Sequence, residues 1–227
     1  MSRVVTSAIF ITAWFGIAST LAQETGGLSV RAMLLVPGGA VTNLHPLVGD
    51  KAGDAVQVGA RGLSQPFSPA ARGFALAVPS AQEASGYRAV ATVALPAKGR
   101  DFIVLLEPTG KTYKVHVINR REARFGADCI LFFNAAETVL GATLGSQKVL
   151  IKPRQMVFAK APERGEKPYY QVTFYHPDGG KSRIFGNSRW PHRDHGRTYV
   201  FLYRSQPANR LTFEAVDEDL EPEPKTE

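Results

Sequence analysis

The chain alternates. In "YRAVATVAL" (87–95) small or polar residues separate apolar ones, and "KTYKVHV" (111–117) sets Tyr113, Val115 and Val117 on one face and Lys114 and His116 on the other. A period of two predicts strands, because successive strand side chains point to opposite faces. "RTYVFLYR" (197–204) and "RLTFEAV" (210–216) add aromatic and β-branched residues that suit a pleated surface. In the first of these, Tyr199, Phe201 and Tyr203 share one face and Val200 and Leu202 the other. With both faces apolar, this strand is expected to be central. Its tyrosine face is then one side of a core, an interface between two halves of the chain, or a platform for a ligand.

Turn signals punctuate these runs: "PGG" at 37–39, "PTGK" at 108–111 and "HPDGGK" at 176–181. "NAAETVLGATLG" (134–145) has some helical character, but its two glycines and β-branched residues favour strand and turn. The mature chain shows no long stripe of helical period. The prediction is all-β, with many short strands arranged as sandwiches and little or no helix beyond the N-terminal segment.

The pattern also repeats. "LPAKGRDFIVLLEPTGKTYKVHVIN" (95–119) and "WPHRDHGRTYVFLYRSQPANRLTFEAV" (190–216) both run apolar–Pro, turn, Gly–Arg, apolar strand, Pro-containing turn, alternating strand. Upstream, "LSQPFSPAARGFALAVPS" (63–80) matches "GSQKVLIKPRQMVFAKAP" (145–162) more loosely. The expectation is two tandem immunoglobulin-like units, 23–122 and 123–217, joined near "NRREARFG" (119–126). The layout is similar to that of exported tandem β-sandwich proteins, a likeness of architecture that implies no activity.

Residues 1–22 read as a secretory signal peptide, with Arg3, an apolar run from Val4 to Ala18, and small residues Thr20 and Ala22 before the cut. The apolar run is short for a spanning helix, which needs about 20 residues. No later stretch is long and apolar enough for a transmembrane helix. Cys129 is the single cysteine, so no intramolecular disulfide is possible, and its apolar neighbours make it a core residue. An exported chain without disulfides or Asn-linked glycosylation motifs fits a bacterial envelope, in the periplasm, at the cell surface or outside the cell.

Net charge is +7, and it is uneven: the body is basic, more so in the second unit, while 218–227 form an acidic tail expected to be disordered. A basic body suits an anionic envelope polysaccharide or a protein partner. The charges form no run, which argues against sequence-specific nucleic-acid recognition.

Candidate chemistry concentrates in "RWPHRDHGR" (189–197). A turn entering a strand needs Pro191 and Gly196 for their backbone angles, but not the charges between them. Arg189, Arg193 and Arg197, with Trp190, His192 and His195, make a candidate anion or ligand site, because arginine forks pair with carboxylate or phosphate. A metal site would use His192, Asp194 and His195, with His176 as a fourth ligand, although Arg193 and Arg197 repel a cation. The plain alternative is a solvated basic turn with Trp190 anchored in the core, as Leu95 is expected to be in the first unit.

Gly-x-Ser-x-Gly and His-Glu-x-x-His are missing from the sequence, and "HPDGGKS" (176–182) lacks the first glycine of a phosphate loop. Asp101, Glu107, Asp128 and Glu137 read as strand-end charges and not as paired catalytic carboxylates. The function expected is an exported, non-enzymatic binding or assembly module with no cofactor. A metal-binding protein and a self-associating structural subunit are the alternatives.

Overall fold

The computed structural model describes residues 27–36, 40–178, 181–193, 195–205 and 208–220. The signal-peptide expectation for 1–22, the turn at 37–39, Asp194 and residues 221–227 of the acidic tail lie outside the described residues.

The described residues form an all-β fold. The first half holds β1 (Ser29–Leu34), β2 (Val41–Val48), β3 (Lys51–Ala52), β4 (Val56–Gly59), β5 (Gly73–Pro79), β6 (Tyr87–Ala94), β7 (Asp101–Thr109) and β8 (Thr112–Asn119). The second holds β9 (Cys129–Asn134), β10 (Leu140–Leu144), β11 (Gln147–Ile151), β12 (Met156–Lys160), β13 (Tyr169–Asp178), β14 (Lys181–Pro191), β15 (Gly196–Ser205) and β16 (Arg210–Asp219).

Each half makes two sheets. In the first, β1-β7-β8 faces β3-β2-β5-β6, with β4 also on β2. In the second, β12-β9-β15-β16 faces β11-β10-β13-β14. β1 runs parallel to β7 and β9 parallel to β15, while hairpins join β7 to β8 and β15 to β16. The shared order shows where the upstream sequence match goes astray. β5 pairs with β2 and β6, so its counterpart is β13, whereas β12 pairs with β9. The first-half counterpart of β12 is the segment around Phe67, which makes a single bridge to Val30. The apolar strands matched there, β5 within 63–80 and β12 within 145–162, therefore fall in non-equivalent sheets.

Three apolar cores separate these sheets. Val30, Phe102 and Val104 meet Leu44, Phe74 and Leu76 inside the first half. Phe132, Val200 and Leu202 meet Leu144, Val172 and Phe174 inside the second. The third lies between the halves: Met33, Ile103, Leu105 and Ile118 pack against Leu131, Phe133, Tyr199, Phe201 and Tyr203. The result is a stack of four sheets whose two inner members are apolar on both faces. Such double burial demands unbroken apolar runs, which is why "FIVLL" in β7, "ILFF" in β9 and "YVFLY" in β15 do not alternate. The tyrosine face of β15 is thus an interface between halves, and Cys129 sits buried in the same core.

The join is docked onto this core. Phe125 is buried and meets Tyr199 edge-on at 4.7 Å between centroids. At the other end, β16 continues through Asp219, so Glu218 and Asp219, expected in a disordered tail, are strand residues paired with Arg197 and Gly196. A tail can join a strand where its carboxylates meet arginines, and both do so here: Glu218 meets the buried Arg197 and Asp219 the half-buried Arg193.

Candidate functional site

The "RWPHRDHGR" segment spans the end of β14 and the start of β15, and the structure distributes its side chains. Arg189 is exposed on β14, with its guanidinium 5.3 Å from the centroid of Tyr169. Trp190 packs against the second core beside Tyr170 and Phe174, as the anchor reading expects; Leu95 is buried in the first core. His192 leans on Tyr170 at 5.1 Å, and His195 is exposed with φ near 62°. Of the expected ligand set, Arg189 and His195 are exposed, His192 and Arg193 half-buried, and Arg197 buried.

The arginines expected to bind an external anion already hold internal ones. Arg193 spans Asp217 Oδ2 at 2.6 Å and Asp219 Oδ1 at 3.1 Å on β16, and Asp217 is the first cause holding its pKa above the ordinary arginine value. Arg197 is 7% exposed. Its Nε donates to Glu218 Oε2 at 2.7 Å, and its Nη1 donates to the carbonyls of Arg120 and Phe125 at 3.0 and 2.8 Å. The face of Phe125 lies 4.5 Å from the guanidinium. Burial opposes its charge, so these acceptors are what allow it to stay in the interior. Sequence spacing does not reveal this, because the carboxylates lie 21 to 26 residues downstream and are brought alongside only by the β15–β16 hairpin.

The metal set does not assemble. His176 pairs with Arg183 near the β13–β14 hairpin, whereas Pro191, just before His192, pairs with Tyr169 at the far end of β13. Seven strand positions separate them, about 23 Å. Among the described residues no group of three or more His, Cys, Asp or Glu side chains gathers as metal ligands would. What the segment does line is a small cavity of about 90 Å³, where Trp190, Arg193, Gly196 and Arg197 meet Tyr170, Thr198 and Asp217. Thr198 Oγ1 donates to Asp217 at 2.7 Å, and burial with the nearby Asp217 charge pushes Tyr170 up to about 12. This is room for a few waters, and well below the roughly 300–1,000 Å³ of a small-molecule site.

Two ion clusters flank the core between the halves. At one end Asp101, Arg120, Glu218 and Arg197 join, with Tyr199 donating to Glu218 at 2.6 Å. At the other, Glu107 accepts from Arg154 at 2.8 Å and meets His116 Nε2 at 2.9 Å, while Arg154 also holds Glu137. Asp101 and Glu107 sit near opposite ends of β7. The strand-end carboxylates picked out in the sequence, apart from Asp128, therefore tie the halves together.

Two surfaces remain open. A groove of about 1000 Å³ runs along the edge of the first sandwich, between the β2–β3–β4 ribbon and residues 60–70. Its charged side chains, Lys51, Asp54 and Arg61, are exposed, and its buried Ser64 is committed to the backbone of Ala32 and Gln65. The second surface is the outward face of β11-β10-β13-β14. Register aligns Leu150, Gly141, Tyr175 and Ile184 across the four strands. Leu150 is 56% and Ile184 64% exposed. Tyr175 lies across Gly141, where any Cβ would overlap its Cζ, Cε2 and Oη. The tyrosines were visible in the sequence; the glycine beneath one of them was not, because pairing of β10 with β13 is a long-range fact. No protein-family profile and no curated protein sequence matches the chain.

Proposed function

We propose that the chain is an exported, non-enzymatic binding or assembly module of a bacterial envelope, acting on an anionic polymer or a protein partner. The observation that carries the reading is how charge is used. Arg120, Arg154, Arg193 and Arg197 are engaged with carboxylates inside the molecule. They serve the scaffold, so the basic excess available to a partner comes from exposed side chains such as Lys148, Lys181, Arg183 and Arg189. We read the two halves as immunoglobulin-like units, a reading supported by their facing sheets and hairpin connections. The contact region in this proposal stays in the second half, moved from the arginine-rich turn to its outward surface.

Expression in a bacterial host tests the reading. Mass measurement of the secreted or periplasmic chain is expected to give a mature N-terminus at Gln23. The purified protein is expected to stay on an immobilised acidic polysaccharide at low salt and to leave as salt rises. A chain that remains cytosolic and passes every polyanionic support would sink the proposal.

A further inference from the structure

We propose that the outward face of the β11-β10-β13-β14 sheet is a platform for an acidic polysaccharide, laid along β13. The proposal rests on the binding-module reading and gives it a site and a ligand class.

The outward positions of β13 are Tyr169, Gln171, Thr173 and Tyr175; their inward neighbours Tyr170, Val172 and Phe174 are buried in the second core. Two aromatic rings thus bracket two polar side chains along about 20 Å of strand. Tyr175 does not stand up from the sheet. It lies across Gly141, flanked in the same cross-strand row by the exposed Leu150 and Ile184. A recumbent tyrosine offers an apolar ring face with a hydroxyl at its edge, which matches a sugar ring that is apolar on its faces and polar at its rim. At the other end of β13, Arg189 covers Tyr169. Between the rings, Gln171 is bonded to Asn187 and to the carbonyl of Ser188, so the amides are held in place to meet hydroxyls.

The charge on this face decides the occupant. Lys148 stands outward on β11, paired with Thr143, and Arg189 stands outward on β14, paired with Gln171. The outward positions of the four strands, Lys148, Leu150, Gly141, Thr143, the β13 set and Asn187 with Arg189, hold no carboxylate among the described residues. A second copy docked face to face would set these cations against their own kind, which is unfavourable at a two-fold interface. A polymer with a regular carboxylate on each sugar satisfies cations and rings together. The apolar row also separates a sugar ligand from a plain polyanion, which would have no use for Leu150, Tyr175 and Ile184.

The test compares three polymers against the intact protein: polygalacturonate, its fully methyl-esterified form, and polyglutamate as a polyanion without sugar rings. Polygalacturonate is expected to bind most tightly. Tyr175→Ala is expected to weaken that binding about tenfold while leaving polyglutamate binding unchanged. Lys148→Gln with Arg189→Gln is expected to reduce the salt dependence. Lys98→Ala, a cation on the other half of the molecule, serves as a control expected to have no effect. Thermal melting of each variant establishes that it is folded. If the wild type binds polygalacturonate and the face variants bind it equally well, the platform is wrong and the broader reading survives. Equal losses on polygalacturonate and polyglutamate for Tyr175→Ala also overturn the platform, and point to a protein partner or simple charge. A wild type that binds no polyanion removes the platform and leaves the broader reading only its protein partner.

Discussion

Gly141 is a position where one missing methyl group decides the surface. Its backbone lies in ordinary strand geometry, so the requirement is space and not conformation: the Tyr175 ring occupies the volume a Cβ would take. Gly141→Ala must therefore displace the ring or shift the strand, and is expected to destabilise the protein by about 1–3 kcal/mol, the usual cost of overpacking. Combined with Tyr175→Ala, which vacates that volume, the same substitution should cost much less, because a strand interior prefers alanine to glycine. Urea denaturation of the two single variants and the double variant reads the coupling directly; additive losses would show that the ring and the glycine do not share the space. Arg197 makes the opposite point. The sequence marks it as a surface charge in a polar turn, and nothing local says otherwise. Its burial follows from the strand that places Glu218 beside it and the join that brings in two backbone carbonyls.

Among elements, β7 carries the most. It is central in its sheet, apolar on both faces, and carries Asp101 and Glu107 near its two ends, where they enter the two ion clusters between the halves. Burial would raise the pKa of Glu107, but the bonds from His116 and Arg154 outweigh it and hold the carboxyl at about 2, below its ordinary 4.5. A carboxyl lowered in the folded state contributes its stability in full above 4.5 and loses it as pH falls from there towards 2. Glu107→Gln removes the titration. The expected outcome is a wild-type denaturation midpoint that falls through this acid window more steeply than that of the variant; parallel curves would mean the carboxylate is not bound so tightly. Strand identity was legible element by element, since β6, β8, β15 and β16 follow the alternation or apolar runs of the sequence. Pairing was not legible. The match of β5 with β12 failed because proline-flanked apolar runs look alike whichever sheet they join, and only the neighbours of a strand tell β12 from β13.

For the whole molecule, the core between the halves turns two units into one object. Tyr199, Phe201 and Tyr203 have no exposed face to lose to solvent without unfolding both neighbours. Heating is expected to give a single calorimetric transition whose calorimetric and van't Hoff enthalpies agree. Phe201→Ala, which opens a cavity there, should lower stability by about 3–5 kcal/mol while keeping one transition; two resolved transitions in the wild type would mean the halves unfold separately. The parallel pairings have a consequence in time. Ser29 lies beside Asp101 and Ile130 beside Thr198, so each half closes only when segments roughly 70 residues apart meet, a non-local topology of the slow-folding kind. A ribosome makes the chain from the N-terminus, so β1 waits for β7, and the surface that β7 offers to the second half waits for β15. Until that late strand arrives, the core inside the first half can close, but the apolar face that β7 and β1 turn towards the second half stays uncovered.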